Sequence, residues 1–128
     1  MMTLEIPKFF KGTDYKTELR SFQWGLQKNV AVGGQTGQGK FLPAHDVYVS
    51  MEVDEFTAEF YRRFIHGENM AKVSIKFHKS DGASGSVPYL EIILTDVFVS
   101  SIHYGGGEKD NPVVFVGLSF KEGEFKQL

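Results

Sequence analysis

The chain has 128 residues, 41% of them hydrophobic and 12 of them Phe, which is room for one domain with its own core and too little for two. Its net charge of −2, from 14 Lys and Arg against 16 Asp and Glu, lacks the basic excess of a nucleic-acid binder, and the absence of Cys removes disulfide frameworks and thiolate metal sites. Met1 to Lys8 carries no basic and apolar leader pattern, and no apolar run approaches ~18 residues, so a soluble chain made in the cytoplasm is expected, with neither signal peptide nor membrane insertion.

A short apolar piece at Leu4–Ile6 predicts the first strand. Leu19–Leu26 alternates, with Phe22, Trp24 and Leu26 on one side and Ser21, Gln23 and Gly25 on the other. Lys28–His45 follows, a long Gly/Gln-rich connection with neither period; a loop of that length is usually functional or ordered by a partner. Val47, Val49, Met51 and Val53 then form one face of a strand, opposed by Tyr48, Ser50 and Glu52. Asp54–His66 changes period: Phe56, Phe60 and Phe64 recur every four residues, Tyr61 and Ile65 broaden the stripe, Asp54 can cap the N-terminus, and Gly67 can end the helix. Glu55 suits the positive end of its dipole, and Arg62, Arg63 and His66 suit the other.

Ala71–His78 is the clearest half-buried strand, with Val73, Ile75 and Phe77 facing one way and Lys72, Ser74, Lys76 and His78 the other. The Asp81–Ser86 segment (DGASGS) predicts a hairpin loop. Tyr89–Ile102 is apolar on both faces in its first half, as expected of a strand covered by core on one side and by core or a neighbouring subunit on the other. Gly105–Pro112 predicts a turn and Val113–Phe120 the last strand. A mainly β chain with one amphipathic helix predicts a small antiparallel barrel or two-sheet sandwich, residues 1–128 forming one domain with the helix on its flank.

Candidate chemistry is sparse. Gly34–Lys40 (GQTGQGK) fits the core of a phosphate-binding loop, but Phe41 stands where Mg²⁺ needs a Ser or Thr. Pro43 and a β pattern also follow where a helix must begin, so the segment reads as a loop. His45, His66, His78 and His103 form no closely spaced pair, so no metal is expected. Asp96 shares a strand face with Leu94 and Phe98, which suggests a strand-edge or partner-facing charge. Ser100 and Ser101 lack a nucleophile-elbow context. Trp24 and Phe22 suit core packing better than base stacking, because no basic groove accompanies them. No catalytic residue and no cofactor is assigned.

Taken in order, these segments resemble the hemolysin-coregulated protein (Hcp) family, the tube subunits of bacterial type VI secretion systems. LRSFQWGL (Leu19–Leu26) is similar to the family's early strand with its Ser-aromatic-x-Trp-Gly pattern, followed by the glycine-rich extension at Gly33–Lys40. Val47–Val53 running into Asp54, the helix ending at Gly67, Val73–Phe77, YLEIILTDVFVSSI (Tyr89–Ile102), Gly105–Gly107 and Val113–Phe120 continue the likeness along the chain. After Asp54 this chain has Glu55-Phe56-Thr57-Ala58, where the family often has Lys-Ser-Ser-Pro.

The resemblance implies a β-barrel with a flanking helix that closes into six-membered rings. The rings stack into a hollow tube inside a contractile sheath, tipped by a VgrG-type spike, and some carry small effectors in the lumen. It implies a structural role rather than an enzymatic one, and a location that is cytoplasmic until the machine fires and extracellular afterwards. It also implies an assembly loop for ring or subunit contacts at Gly33, Gly34, Gln35, Thr36, Gly37, Gln38, Gly39, Lys40 and Phe41. With the chain ending soon after Phe125, no fused effector domain is expected. Two alternatives stay open: a tail-tube protein of a phage or extracellular contractile injection particle, and a monomeric barrel binding a small ligand or oligonucleotide.

Overall fold

Residues 1–25, 40–41, 46–80, 85–106 and 108–128 are described by the computed structural model, Lys40 and Phe41 through their backbone alone. Among them are eight strands and one helix: β1 (Met2–Phe10), β2 (Thr13–Glu18), β3 (Ser21–Gln23), β4 (Lys40–Phe41), β5 (Val47–Glu52), α1 (Ala58–His66), β6 (Met70–Ser80), β7 (Ser86–Gly105) and β8 (Val113–Gln127). All pairings are antiparallel, in the order β2-β1-β6-β7-β8-β5-β3, with β4 also on β8. The expected mainly β architecture with one flanking helix is the one observed.

Closure follows from the ends of that order. β2 and β3 lie at opposite ends of the sheet, yet only Leu19 and Arg20 separate them in the chain. The Leu19 amide donates to Met2 O on one flank (2.9 Å), and the Arg20 amide donates to Ser50 O on the other (2.7 Å). A single segment therefore belongs to both margins, and the sheet curls round on itself. That curl brings the two margins together at this segment, although no ladder pairs β2 with β3 among the described residues.

The long β7–β8 hairpin is common to both halves of the barrel. β7 pairs with β6 as far as Val97 opposite Met70, whereas β8 takes β5 along Val113 to Leu118. One wall is thus β2-β1-β6 with the first half of β7, and the other is the second half of β7 with β8, β5 and β3. Inside lie Leu4, Ile6, Val47, Val49, Met51, Val73, Ile75, Ile92, Leu94, Val97, Val114, Val116 and Leu118, each at most 2% exposed.

β2 has no clear signal in the chain, because Tyr15 is the one large apolar residue in TDYKTE. It is held by the turn before it, where Lys11 (φ 50°) and Gly12 (φ 76°) form a two-residue hairpin of the type that needs two left-handed positions. Leu26, the end of the expected early strand, and residues 81–84 of the DGASGS loop lie outside the described residues.

The helix starts one turn later than its periodicity predicts. Asp54 does not cap it: its Oδ1 accepts from the Phe56 amide (2.8 Å), its Oδ2 from the Tyr15 hydroxyl (2.8 Å), and Thr57 Oγ1 donates to its carbonyl (3.0 Å). These bonds hold 54–57 in a tight turn, so the first helical residue is Ala58 and the acid in the first turn is Glu59 rather than Glu55. Gly67 ends the helix in the left-handed conformation (φ 67°), as its position predicts. Phe60 packs among Phe9 and Tyr15, with ring centroids 4.6 and 6.1 Å away, and closes the core at that end.

Asp96 resolves a puzzle in β7. Ile92 and Leu94 point inward, so simple alternation would send Asp96 and Phe98 in with them. Asp96 instead adopts φ 56°, the alternation inverts, and Val97 and Val99 become the buried residues while Phe98 is left 41% exposed. A residue with φ > 0 inside a strand is uncommon, and Asp is among the few side chains that tolerate it. Its carboxylate accepts a hydrogen bond from Asn69 Nδ2.

Candidate assembly surfaces

The two walls carry opposite chemistry on their outer faces. On the β2-β1-β6-β7 wall, Lys16, Glu5, Lys76, Glu91 and Lys126 stand in cross-strand register or one diagonal step apart, so charge alternates across five strands. Glu5 lies 2.8 Å from Lys76 Nζ and 3.7 Å from Lys16 Nζ. The Lys76 hydrogen bond holds the Glu5 carboxyl below the usual carboxylate range, against the opposing pull of desolvation, and the same bond raises Lys76. Glu91, though 8% exposed, accepts from Ser74 Oγ. This is a self-neutralised, solvent-compatible surface.

The β7-β8-β5-β3 wall has no Asp, Glu, Lys or Arg in its centre. Register places Gln23, Tyr48, Gly117 and Ser101 in one row across the four strands, and Ser21, Ser50, Phe115 and His103 in the next. Phe98, opposite Ser119, extends the row of rings. Tyr48, Phe98 and Phe115 are between 41 and 48% exposed, and Asp46, Glu52 and Lys121 flank the area. Gly117 is closely surrounded: a Cβ there would sit 3.0 Å from Ser100 Oγ and 3.1 Å from Tyr48 Cε1, and closer still to Ser101 Oγ, so those side chains would have to move aside. Between the rings is a shallow concavity of about 380 Å³, lined by Tyr48, Phe115, His103, Gln23 and Gly117.

A third surface is the outward side of α1. Phe60 is buried and Phe56 partly so, yet Tyr61, Phe64 and Ile65 remain 39–57% exposed. The broad apolar stripe exceeds what the barrel covers.

Of the expected assembly segment, Gly33, Gly34, Gln35, Thr36, Gly37, Gln38 and Gly39 lie outside the described residues, as does most of the phosphate-loop look-alike. Lys40 and Phe41 form β4, which pairs with Glu124 and Gly123 of β8. His45 also lies outside the described residues. His66 is exposed at the end of α1, Thr3 Oγ1 and His78 Nε2 are 2.9 Å apart on β1 and β6, and His103 lies on the aromatic wall, so these three are not brought together. Among the described residues no group of three or more His, Cys, Asp or Glu could hold a metal ion. Ser100 Oγ donates to Asp46 Oδ2 (2.6 Å), a structural bond at the bulge in β7. Trp24 and Phe22 pack against the core, Trp24 with its ring 5.0 Å from that of Phe125 and Phe22 edge-on to Phe77 at 5.4 Å.

The outer face of β7's first half is not the open apolar surface that its composition suggests. Glu91 and Thr95 belong to that face with Ile93, on the charged wall. Tyr89, near the start of β7, is 43% exposed, and the other exposed rings of the sheet come from the second half of β7 and from β5 and β8. A signal for them was present: Tyr48 falls on the polar parity of a strand whose other face is Val47, Val49 and Met51.

A comparison with curated proteins returns no match. Among solved structures the fold is similar to that of a variant of the Hcp1 protein from E. coli EAEC 042 (13% identity, TM-score 0.73, 98% of this chain and 90% of that one). It is also similar to a type VI secretion system effector from Yersinia pestis (13%, TM-score 0.71, all of both chains) and to secreted protein Hcp3 from Pseudomonas aeruginosa (11%, TM-score 0.70, 98% and 89%). At such identities these likenesses speak for the fold. The family model described as "Type VI secretion system effector, Hcp" matches residues 9–126, and the chain therefore belongs to the Hcp family of type VI secretion systems.

Proposed function

We propose that the chain is a structural subunit of a type VI secretion tube, closing with copies of itself into six-membered rings that stack around a hollow lumen. The observation that carries this reading is the family match over residues 9–126. The paired apolar surfaces support it: ring closure needs two different patches on each copy, and this barrel has an uncharged aromatic wall as well as an apolar helix side. On this reading residues 1–128 act as one domain without catalytic activity, and the segment 33–41 makes subunit or ring-to-ring contacts. The stacked rings meet a contractile sheath and a VgrG-type spike, carry small effectors, and leave the cytoplasm when the machine fires. No helix is long and apolar enough to cross a membrane.

The test is the native mass of the purified protein by light scattering, with negative-stain images of the same sample. Copies of 14.4 kDa closed into a ring of six should give about 86 kDa and a central hole. A strict monomer at high concentration would replace this reading with that of a ligand-binding barrel.

A further inference from the structure

The start of β1 is fastened to β6 by a bond between two side chains, one of them a histidine. Thr3 is 5% exposed although it shares the outer face with Glu5 and Lys76, and His78 Nε2 lies 2.9 Å from its hydroxyl. The other ring nitrogen, Nδ1, is buried with no hydrogen-bond partner among the described residues. A bare lone pair is less costly to bury than an orphaned N–H, so the neutral imidazole carries its proton on Nε2 and donates it to Thr3 Oγ1. We propose that His78 is a proton-operated latch on the barrel seam, holding the end of β1 to β6 when neutral and releasing it when charged.

The latch lies within one copy and is independent of how copies assemble. An imidazolium donates from both nitrogens. Thr3 can accept one of those bonds, but the second N–H would be buried without an acceptor. It would also meet like charge: Lys76 stands two positions back on β6, Lys79 follows His78, and the Met1 ammonium donates to the His78 carbonyl (3.4 Å). The carboxylates on neighbouring strands are engaged or in water. Glu5 is paired with Lys76 and Lys16, Glu91 accepts from Ser74, and Glu18, opposite Thr3 on β2, is exposed. On the far side β7 presents Pro88 opposite His78 and Val87 opposite Lys79. Protonation is therefore favoured with the imidazole turned out to water, and that movement breaks its bond to Thr3. The seam is next in line. His78 N donates to Met1 O (2.8 Å) and Leu19 N to Met2 O (2.9 Å), so the two residues before Thr3 hold β6 on one flank and the seam segment on the other. Histidine changes charge between about pH 5 and pH 8, a window that lies above the carboxylate range.

The test is hydrogen exchange at single amides of the purified protein, in whatever assembly it forms, at about pH 7.5 and about pH 5.5, each rate divided by its intrinsic rate at that pH. The expected result is a Leu19 protection factor about fivefold lower at the acid value, with amides in the centre of β8 unchanged. His78→Gln keeps a donor for Thr3 and does not titrate, so it should hold Leu19 protection level between the two conditions. The triple variant His45→Gln/His66→Gln/His103→Gln, which leaves His78 as the one histidine, should keep the full wild-type response. Circular dichroism checks folding. If His78→Gln misfolds, the near-isosteric Thr3→Val takes its place, and its Leu19 protection should sit at the acid value in both conditions. An acid response that persists in His78→Gln, vanishes in the triple variant or spreads evenly over all strands would overturn the inference. So would a wild type whose Leu19 protection is the same at both pH values. None of these results touches the tube reading, which the native mass decides.

Discussion

Glu59 shows how much one buried charge can hold. It is 5% exposed in the first turn of α1, where Arg62 Nε and Nη2 donate to its two oxygens (2.8 and 2.7 Å) and Arg63 Nε donates to Oε2 (2.9 Å). Arg63 in turn reaches the carbonyl of Phe9 (2.9 Å), so the carboxylate ties helix to β1 through one guanidinium. The Arg62 hydrogen bonds, with the nearby charges of both arginines, hold the Glu59 carboxyl below the usual carboxylate range despite its burial. A carboxyl depressed in the folded state contributes stability that is present above its unfolded pKa of about 4.3 and is lost as pH falls through the folded value. Glu59→Gln should therefore cost about 1.5–3 kcal/mol at neutral pH. In urea melts at a series of pH values, the gap to wild type should stay flat above about pH 5 and shrink below about pH 4. A gap that persists unchanged into strong acid would mean that packing, not the ion pair, is what the substitution removes. The sequence pointed to Glu55 for the dipole role, because nothing in the local pattern says that Asp54 is engaged by Tyr15, 39 positions earlier.

At the scale of elements, β5 and β6 were legible because each has one dry and one wetter face, and period-2 alternation encodes that difference directly. β7 was legible as a strand but not in its facing. Its alternation inverts at Asp96, and a backbone angle leaves no trace in a hydrophobicity pattern. The positive φ predicts an order of tolerance. Asp96→Asn keeps a side chain that accepts the left-handed conformation and should change stability by less than about 0.5 kcal/mol. Asp96→Val adds a β-branched side chain at φ 56° and should cost about 1–2 kcal/mol, with further loss from the Asn69 hydrogen bond. Chemical denaturation of the two variants checks this; equal stabilities would mean that the strand relaxes into ordinary alternation. The exposed rings on β5, β7 and β8 were missed for a related reason. Tyr48 and Phe115 each sit alone on the polar parity of their strands, Phe98 is turned outward by the inversion at Asp96, and only cross-strand register collects them into one wall.

The whole molecule depends on a seam that is mostly side chain. Beyond the bonds from Leu19 and Arg20, the two margins are joined by the Tyr15 hydroxyl of β2 on Asp54, just past β5, and by the ion pair of Arg20, between β2 and β3, with Glu52 of β5. Burial, reinforced by Asp54, pushes the Tyr15 phenol well above its ordinary range, so it stays a donor at any ordinary pH. Tyr15→Phe should loosen the seam without disturbing the far wall. Amide exchange at Leu19 should quicken about tenfold, as expected for loss of a hydrogen bond to a charged group, while amides in the centre of β7 and β8 hold their protection. Uniform acceleration across all strands would indicate global destabilisation instead.

That seam also orders events in time. β1 and β2 leave the ribosome before their lateral partners are made: Met2 pairs with Phe77, and Arg20 waits for Ser50. At about 5–20 residues per second, Leu4, Ile6 and Phe9 spend about 3–11 s as an unsupported hairpin before β6 emerges. The residues that finally lock the barrel are translated well before their partners, so the nascent chain carries exposed apolar surface throughout that interval. A holdase acting on this protein would meet it at the β1–β2 hairpin.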